Sequence, residues 1–145
     1  MTRSLRVGIA GLGRLGMRHA ENLVQRVPEI ELLAACSPVE SERAAAGALG
    51  VPRLHADYGG LLSDRELDAV FLVTPTSLHA DQIVAALEAG KHVFCEKPLA
   101  LNLADCLRVE AAAAKRPDLV VMIGFVRRFD PSYRDAAAKI AAGAI

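Results

Sequence analysis

Gly11, Gly13 and Gly16 stand at Gly-x-Gly-x-x-Gly spacing, and the chemistry this spacing permits is the binding of a diphosphate. The first glycine allows a tight turn, the second lets an anion reach the backbone without meeting a Cβ, and the third lets a helix pack closely on its strand. Phosphates then rest on unpaired N–H groups at the positive end of the helix dipole. Gly11, Gly13, Arg14, Leu15 and Gly16 are therefore candidate cofactor contacts. The pattern is short, and a plain glycine-rich turn would read the same way in isolation. Further along, Glu96-Lys97-Pro98 places an acid beside an amine; taken alone it reads as an exposed loop pair of opposite charge.

The glycines need a strand before them and a helix after, and the chain supplies both. Residues 5–10 are a short apolar run suited to a strand buried on both faces. Met17, Ala20, Leu23, Val24 and Val27 recur at helical spacing until Pro28, with Arg18 and His19 expected on the solvated side. Residues 30–36 give a second strand and 41–49 a helix closed by Gly50. Residues 51–55 read as a short extended piece, and Asp57 can cap a brief helix reaching Leu62. The apolar run 69–73 enters Thr74-Pro75-Thr76-Ser77, where Thr76 or Ser77 can cap a helix over 78–89. Strand 91–95 delivers Glu96-Lys97-Pro98 at its end, Asn102 starts a helix through Lys115, residues 119–124 make a sixth strand, and Pro131 opens a last helix. Strand and helix alternate with connections too long for hairpins. The fold class is therefore α/β, a doubly wound parallel sheet of about six strands with helices on both faces. Ligands of such sheets bind beyond the carboxyl ends of the strands, so the loops after Ala10, Cys36, Val73, Cys95 and Gly124 share the functional edge.

Composition narrows the partners. The 145 residues suit one domain. Hydrophobic residues are 52% and aromatics 4%, so the core must be built from Ala, Val, Leu and Ile. With 17 basic and 17 acidic side chains there is no electrostatic case for nucleic acid or an anionic membrane, and a small molecule is the expected partner. Cys36, Cys95 and Cys106 are odd in number and lack CxxC spacing, which suggests neither disulfides nor a metal site. Cys36 and Cys95 read as small buried hydrophobes. Met1 to Ser4 lead straight into the first strand with no room for a signal peptide, and no apolar stretch approaches ~18 residues. The expected compartment is the cytoplasm.

The cofactor could be NAD or NADP. An acidic residue is expected ~20 positions beyond the glycines to accept the ribose hydroxyls, and the strand end there reads Ala35-Cys36-Ser37-Pro38. Ser37 lacks a carboxylate, which favours tolerance of a 2′-phosphate, and Arg14 or Arg43 could add positive charge. No arginine follows Ser37 directly, however, and Glu40 is near enough to stand in for the missing acid.

Gly11-Leu12-Gly13-Arg14-Leu15-Gly16, Thr74-Pro75-Thr76-Ser77-Leu78-His79 and residues 90–98 ending in Glu96-Lys97-Pro98 together resemble the Gfo/Idh/MocA oxidoreductases. Residues 124–130, Gly-Phe-Val-Arg-Arg-Phe-Asp, look like the inositol 2-dehydrogenase branch of that family. The resemblance covers essentially the whole chain and implies that residues 1–145 are a Rossmann dinucleotide-binding domain. A larger C-terminal α/β domain, carrying substrate contacts and the oligomer interface, would lie beyond them. It implies a full-length homo-oligomer acting on a cyclic polyol or sugar, and an isolated domain that does not turn over. By the same resemblance Lys97 is the catalytic residue and a substrate contact. Partly desolvated beside a nicotinamide, its amine would help remove the hydroxyl proton as hydride leaves the carbon. Glu96 would hold Lys97 or lie near the cofactor, Pro98 would fix the turn through a cis bond, and Arg127 would reach substrate hydroxyls. Thr74 and Pro75 would approach the cofactor by backbone, and His79 would lie near it or serve structurally. A non-catalytic nucleotide-sensing or assembly module is the alternative. A dihydrodipicolinate- or homoserine-type reductase shares the glycine loop without explaining Glu96-Lys97-Pro98.

Overall fold

The computed structural model describes residues 3–144. Six strands, β1 (Leu5–Ala10), β2 (Ile30–Cys36), β3 (Arg53–His55), β4 (Ala69–Leu72), β5 (His92–Glu96) and β6 (Val121–Gly124), form one sheet in the order β3-β2-β1-β4-β5-β6. Every pairing is parallel. The order reverses between β1 and β4, which opens a crevice at their carboxyl ends.

Strands buried on both faces must be apolar at nearly every position, and here the two faces take alternate residues. Val7 and Ile9 of β1 join Ala20 and Leu23 of α1 (Arg14–Arg26) and Ala46 of α2 (Glu40–Ala48). Ala10 points the other way, with Val70 and Leu72 of β4, into a cluster completed by Leu61 of α3 (Tyr58–Leu62), Ile83 and Leu87 of α4 (Thr76–Glu88) and Val109 of α5 (Leu103–Ala114). Ile9, Leu61, Leu72 and Ile83 are fully buried, each stabilising the fold by about 1.5–3 kcal/mol relative to exposure. Cys36 and Cys95 are buried as expected; burial pushes the Cys36 thiol up to about 11 and the Cys95 thiol up to about 12.

The helix starts differ from the sequence reading in instructive ways. α1 begins at Arg14, because Gly13 itself takes the N-cap position and the loop passes directly into helix. Its buried stripe is Gly16, Ala20 and Leu23, while Val24 is exposed. α4 begins at Thr76 with Pro75 as N-cap and no side-chain cap. Neither Thr76 nor Ser77 can cap, since both are already helical. Asp57 and Asn102 do cap, accepting from Gly60 N and Asp105 N. A short 3-10 turn, Val126–Arg128, follows β6, and α6 (Pro131–Ala141) buries none of its residues.

The amino ends of the strands carry an ion-pair network remote from the crevice. Arg53 pairs with Asp64 at 2.7 Å and with Glu66, Arg6 with Glu66 at 2.9 Å, and Arg3 with Asp68 at 2.5 Å. Lys91, buried at the start of the β5 segment, donates from Nζ to the carbonyls of Asp64 and Leu67 at 2.7 and 3.1 Å. Burial disfavours the Asp64 carboxylate, yet hydrogen bonds from Arg53 and from Glu66 N outweigh it and hold the group below the usual range.

Candidate functional site

The β1–α1 loop is built from glycines because its neighbours are backbone. Gly11 has φ +90°, and a Cβ there would lie 2.5 Å from Val73 O. A Cβ on Gly16 would lie 1.8 Å from Gly11 O, so α1 sits directly on the loop it follows. Gly13 is the opposite case: a Cβ there would find only Glu42 Oε1 within 4 Å, at 3.9 Å. The loop is pinned on either side by Gly11 N donating to Cys36 O at 3.0 Å and Val73 N donating to Ala10 O at 2.9 Å. No side chain caps α1 and no acid sits in its first turn, so its leading N–H groups and dipole are free for an anion.

A cleft of about 670 Å³ opens over this loop, a size suited to a small-molecule ligand. It is walled by Gly11, Leu12 and Gly13, by Ser37, Pro38 and Val39 after β2, and by Thr74, Pro75 and Leu78 after β4. Three acceptors or donors that the sequence reading missed also line it: Glu42, Tyr58 and Gln82. Ser37 Oγ donates to Glu42 Oε2 at 2.5 Å and accepts from Val39 N at 3.1 Å, and Arg43 donates to the Ser37 carbonyl at 2.6 Å. The acid that meets Ser37 is therefore Glu42, not Glu40. Helical side chains lean back toward the amino end, which is the signal in the sequence that favours a first-turn residue two positions further on. Arg14 and Leu15 are exposed at the start of α1, outside the cleft lining.

Two strands over from β1, the β5–α5 loop carries Glu96, Lys97 and Pro98 on the same edge of the sheet, about 10 Å away by the usual strand spacing. The Lys97–Pro98 bond is cis. Glu96 faces His19 of α1, with Oε1 2.9 Å from Nε2, and its other oxygen accepts from Lys97 N at 3.2 Å. His19 is thus half-buried against Phe94 rather than solvated. The helical wheel carries the signal: His19 lies three residues after Gly16 and four before Leu23, flanking the buried stripe. Lys97 is exposed, so the desolvation expected of its amine is not supplied by the described residues. Glu96 holds the Lys97 backbone, not its side chain.

His79 is 1% exposed and touches two loops, with Nδ1 2.8 Å from Pro98 O and Nε2 2.9 Å from Thr74 O. Thr74 Oγ1 donates to Gln82 Oε1 at 2.5 Å. Arg127 stands apart, pairing with Asp130 at 3.3 Å and lying 4.8 Å above the Tyr133 ring. Among the described residues there is no cluster able to hold a metal and no helix long and apolar enough to cross a membrane.

A parallel sheet with a glycine loop at its switch point, an uncapped helix behind it and a cleft above defines a dinucleotide-binding domain of the Rossmann class. The profile of the GFO/IDH/MocA family, described as an oxidoreductase family with an NAD-binding Rossmann fold, matches residues 5–125. The chain belongs to that family. It is 41% identical over its whole length to the scyllo-inositol 2-dehydrogenase (NAD(+)) of Bacillus subtilis (strain 168), of which it covers 42%. The crystal structure of scyllo-inositol dehydrogenase from Lactobacillus casei with bound NAD(H) and scyllo-inositol superposes with a TM-score of 0.95 at 40% identity, covering 99% of this chain and 42% of that one. A 3-ketoreductase from Actinomadura kijaniata in complex with TDP-benzene and NADP, in an open conformation, gives 0.88 at 31% identity, covering 99% and 45%. The chain thus spans less than half the length of the relatives it matches.

Proposed function

We propose that this chain is the dinucleotide-binding domain of an NAD(P)-dependent dehydrogenase that oxidises a ring hydroxyl of an inositol or a closely related cyclic polyol. The observation that carries the reading is that Lys97 stands on the same sheet edge as the open face of Gly13. The open space at Gly13 and the free amides of α1 fit a diphosphate, and the relatives' named substrates supply the polyol.

A bound NAD(P) would provide the nicotinamide that accepts hydride. The chain's own residues do the rest. The amides of the glycine loop and of Arg14, Leu15 and Gly16 hold the diphosphate, and the backbone of Thr74 and Pro75 borders the cofactor. Lys97 Nζ hydrogen-bonds the substrate hydroxyl and draws off its proton as the carbon is oxidised. Glu96, steadied by His19, accepts from the Lys97 N–H and so fixes the direction in which the amine leaves the backbone. Arg127, a planar five-donor fork, serves the remaining hydroxyls once released from Asp130.

The test uses a protein that carries this chain and extends over the full length of its relatives. Lys97→Ala is expected to lower kcat for inositol oxidation at least ~100-fold while calorimetric affinity for the dinucleotide stays within a few-fold. Full turnover in that variant removes Lys97 from the mechanism.

A further inference from the structure

The end of β2 offers Ser37 where a dinucleotide fold places the acid that binds the ribose hydroxyls. We propose that Glu42, carried by the first turn of α2, supplies this carboxylate, so that the domain selects NAD(H) over NADP(H). The inference rests on the reading that the cleft holds a dinucleotide.

The geometry ties Glu42 to both loops at that end of the cleft. Its Oε2 accepts from Ser37 Oγ at 2.5 Å, and its Oε1 faces Gly13, 3.9 Å from where a Cβ would stand. A hydroxyl has one hydrogen to give, and Ser37 gives it to Glu42, so none is left for a phosphate. The remaining lone-pair side of Ser37 Oγ accepts from Val39 N. Of the two cations that could welcome a 2′-phosphate, Arg14 is exposed at the start of α1 and Arg43 is engaged by a backbone carbonyl, that of Ser37. Neither of them lines the cleft. What the site presents is an acceptor carboxylate with no cation lining the cleft beside it. That suits two neutral hydroxyl donors and repels a phosphate, the reverse of what Ser37 alone suggests.

The experiment is calorimetric titration of the chain with NAD+ and with NADP+, for the native protein, Glu42→Gln, Glu42→Ala and Glu40→Gln, each checked for native-like circular dichroism. Glu42→Gln keeps an oxygen for Ser37 while removing the charge, so it tests charge rather than folding. The native chain is expected to favour NAD+ at least tenfold. Both Glu42 variants are expected to reduce that ratio at least fivefold, through weaker NAD+ binding and stronger NADP+ binding, with Glu40→Gln unchanged. Native preference for NADP+, an unaltered ratio in Glu42→Gln, or a ratio that moves with Glu40 instead overturns the assignment while leaving the dinucleotide reading intact. Binding of neither cofactor by the native chain overturns both.

Discussion

Two alanine substitutions three residues apart separate the fold's need for glycine from the ligand's. At Gly16 the added Cβ would sit 1.8 Å from Gly11 O and 2.7 Å from Gly11 C. Both are backbone, so no rotamer relieves the overlap, and α1 must retreat from its loop by more than an ångström. Alanine's better helix propensity returns only about 1 kcal/mol, whereas forced overpacking of this kind costs about 1–3 kcal/mol or more. We expect Gly16→Ala to lose about 2 kcal/mol in urea denaturation. At Gly13 the same methyl meets nothing closer than Glu42 Oε1 at 3.9 Å, and φ −60° is open to alanine. The fold should lose less than ~1 kcal/mol, the difference between glycine and alanine as N-caps. The methyl does, however, stand where a diphosphate must approach the amides. Losing one hydrogen bond to a charged oxygen costs about 1.5–3 kcal/mol, so calorimetry should show dinucleotide affinity falling roughly 10- to 100-fold. Gly47→Ala in α2 is the control, since its Cβ meets only the mobile tip of Leu54, at 3.2 Å, and its stability should stay within ~1 kcal/mol. Native affinity in Gly13→Ala would refute the placement of the diphosphate; native stability in Gly16→Ala would refute the contact between helix and loop.

Two further outcomes can be checked in the chain alone. His79→Leu removes a buried ring whose nitrogens lie 2.8 Å from Pro98 O and 2.9 Å from Thr74 O and should cost about 1–3 kcal/mol in urea denaturation; an unchanged midpoint would show that neither contact contributes. The depressed carboxyl of Asp64 stabilises the fold above the unfolded-state value of ~3.9, and that contribution disappears as pH falls through the lower folded value. Asp64→Asn should therefore flatten the acid limb of a stability-against-pH curve below about pH 4 and leave its shape near neutrality alone.

The parts of this molecule that local rules govern were legible in the sequence. An apolar run feeding a glycine loop and a helix specifies strand, turn and helix in one stretch, and the alternation of elements then leaves one edge for a ligand. Asp57 and Asn102 cap as their side chains predict. What escaped was set by contacts between distant elements. Thr76 and Ser77 are sound caps by type, but α4 starts a residue before Ser77 and leaves neither in place. His19 looks solvated beside Arg18 and Glu21, and only the partner presented by β5, 77 residues later, draws it inward. Glu42 was passed over for Glu40 because proximity in sequence is not proximity on a helix.

His19 and His79 show how those long-range contacts tie the sheet edge together. Neither lines the cleft, yet His79 joins two loops of the same sheet edge and His19 joins α1 to the end of β5. His79 spans the β4–α4 loop at Thr74 and the β5–α5 loop at Pro98. His19 spans α1, behind the glycine loop, and Glu96, which in turn accepts from Lys97 N. Phe94 packs between His19 and Phe71, and a Cβ on Gly124 would lie 2.9 Å from the Phe94 ring, so β6 closes the same unit from its far side. The glycine loop's helix, the β4–α4 loop and the Lys97 backbone are thus linked through these contacts, while the Lys97 side chain is left exposed. A preorganised backbone with a free side chain is the arrangement a proton-transfer residue needs if its partner arrives with the substrate.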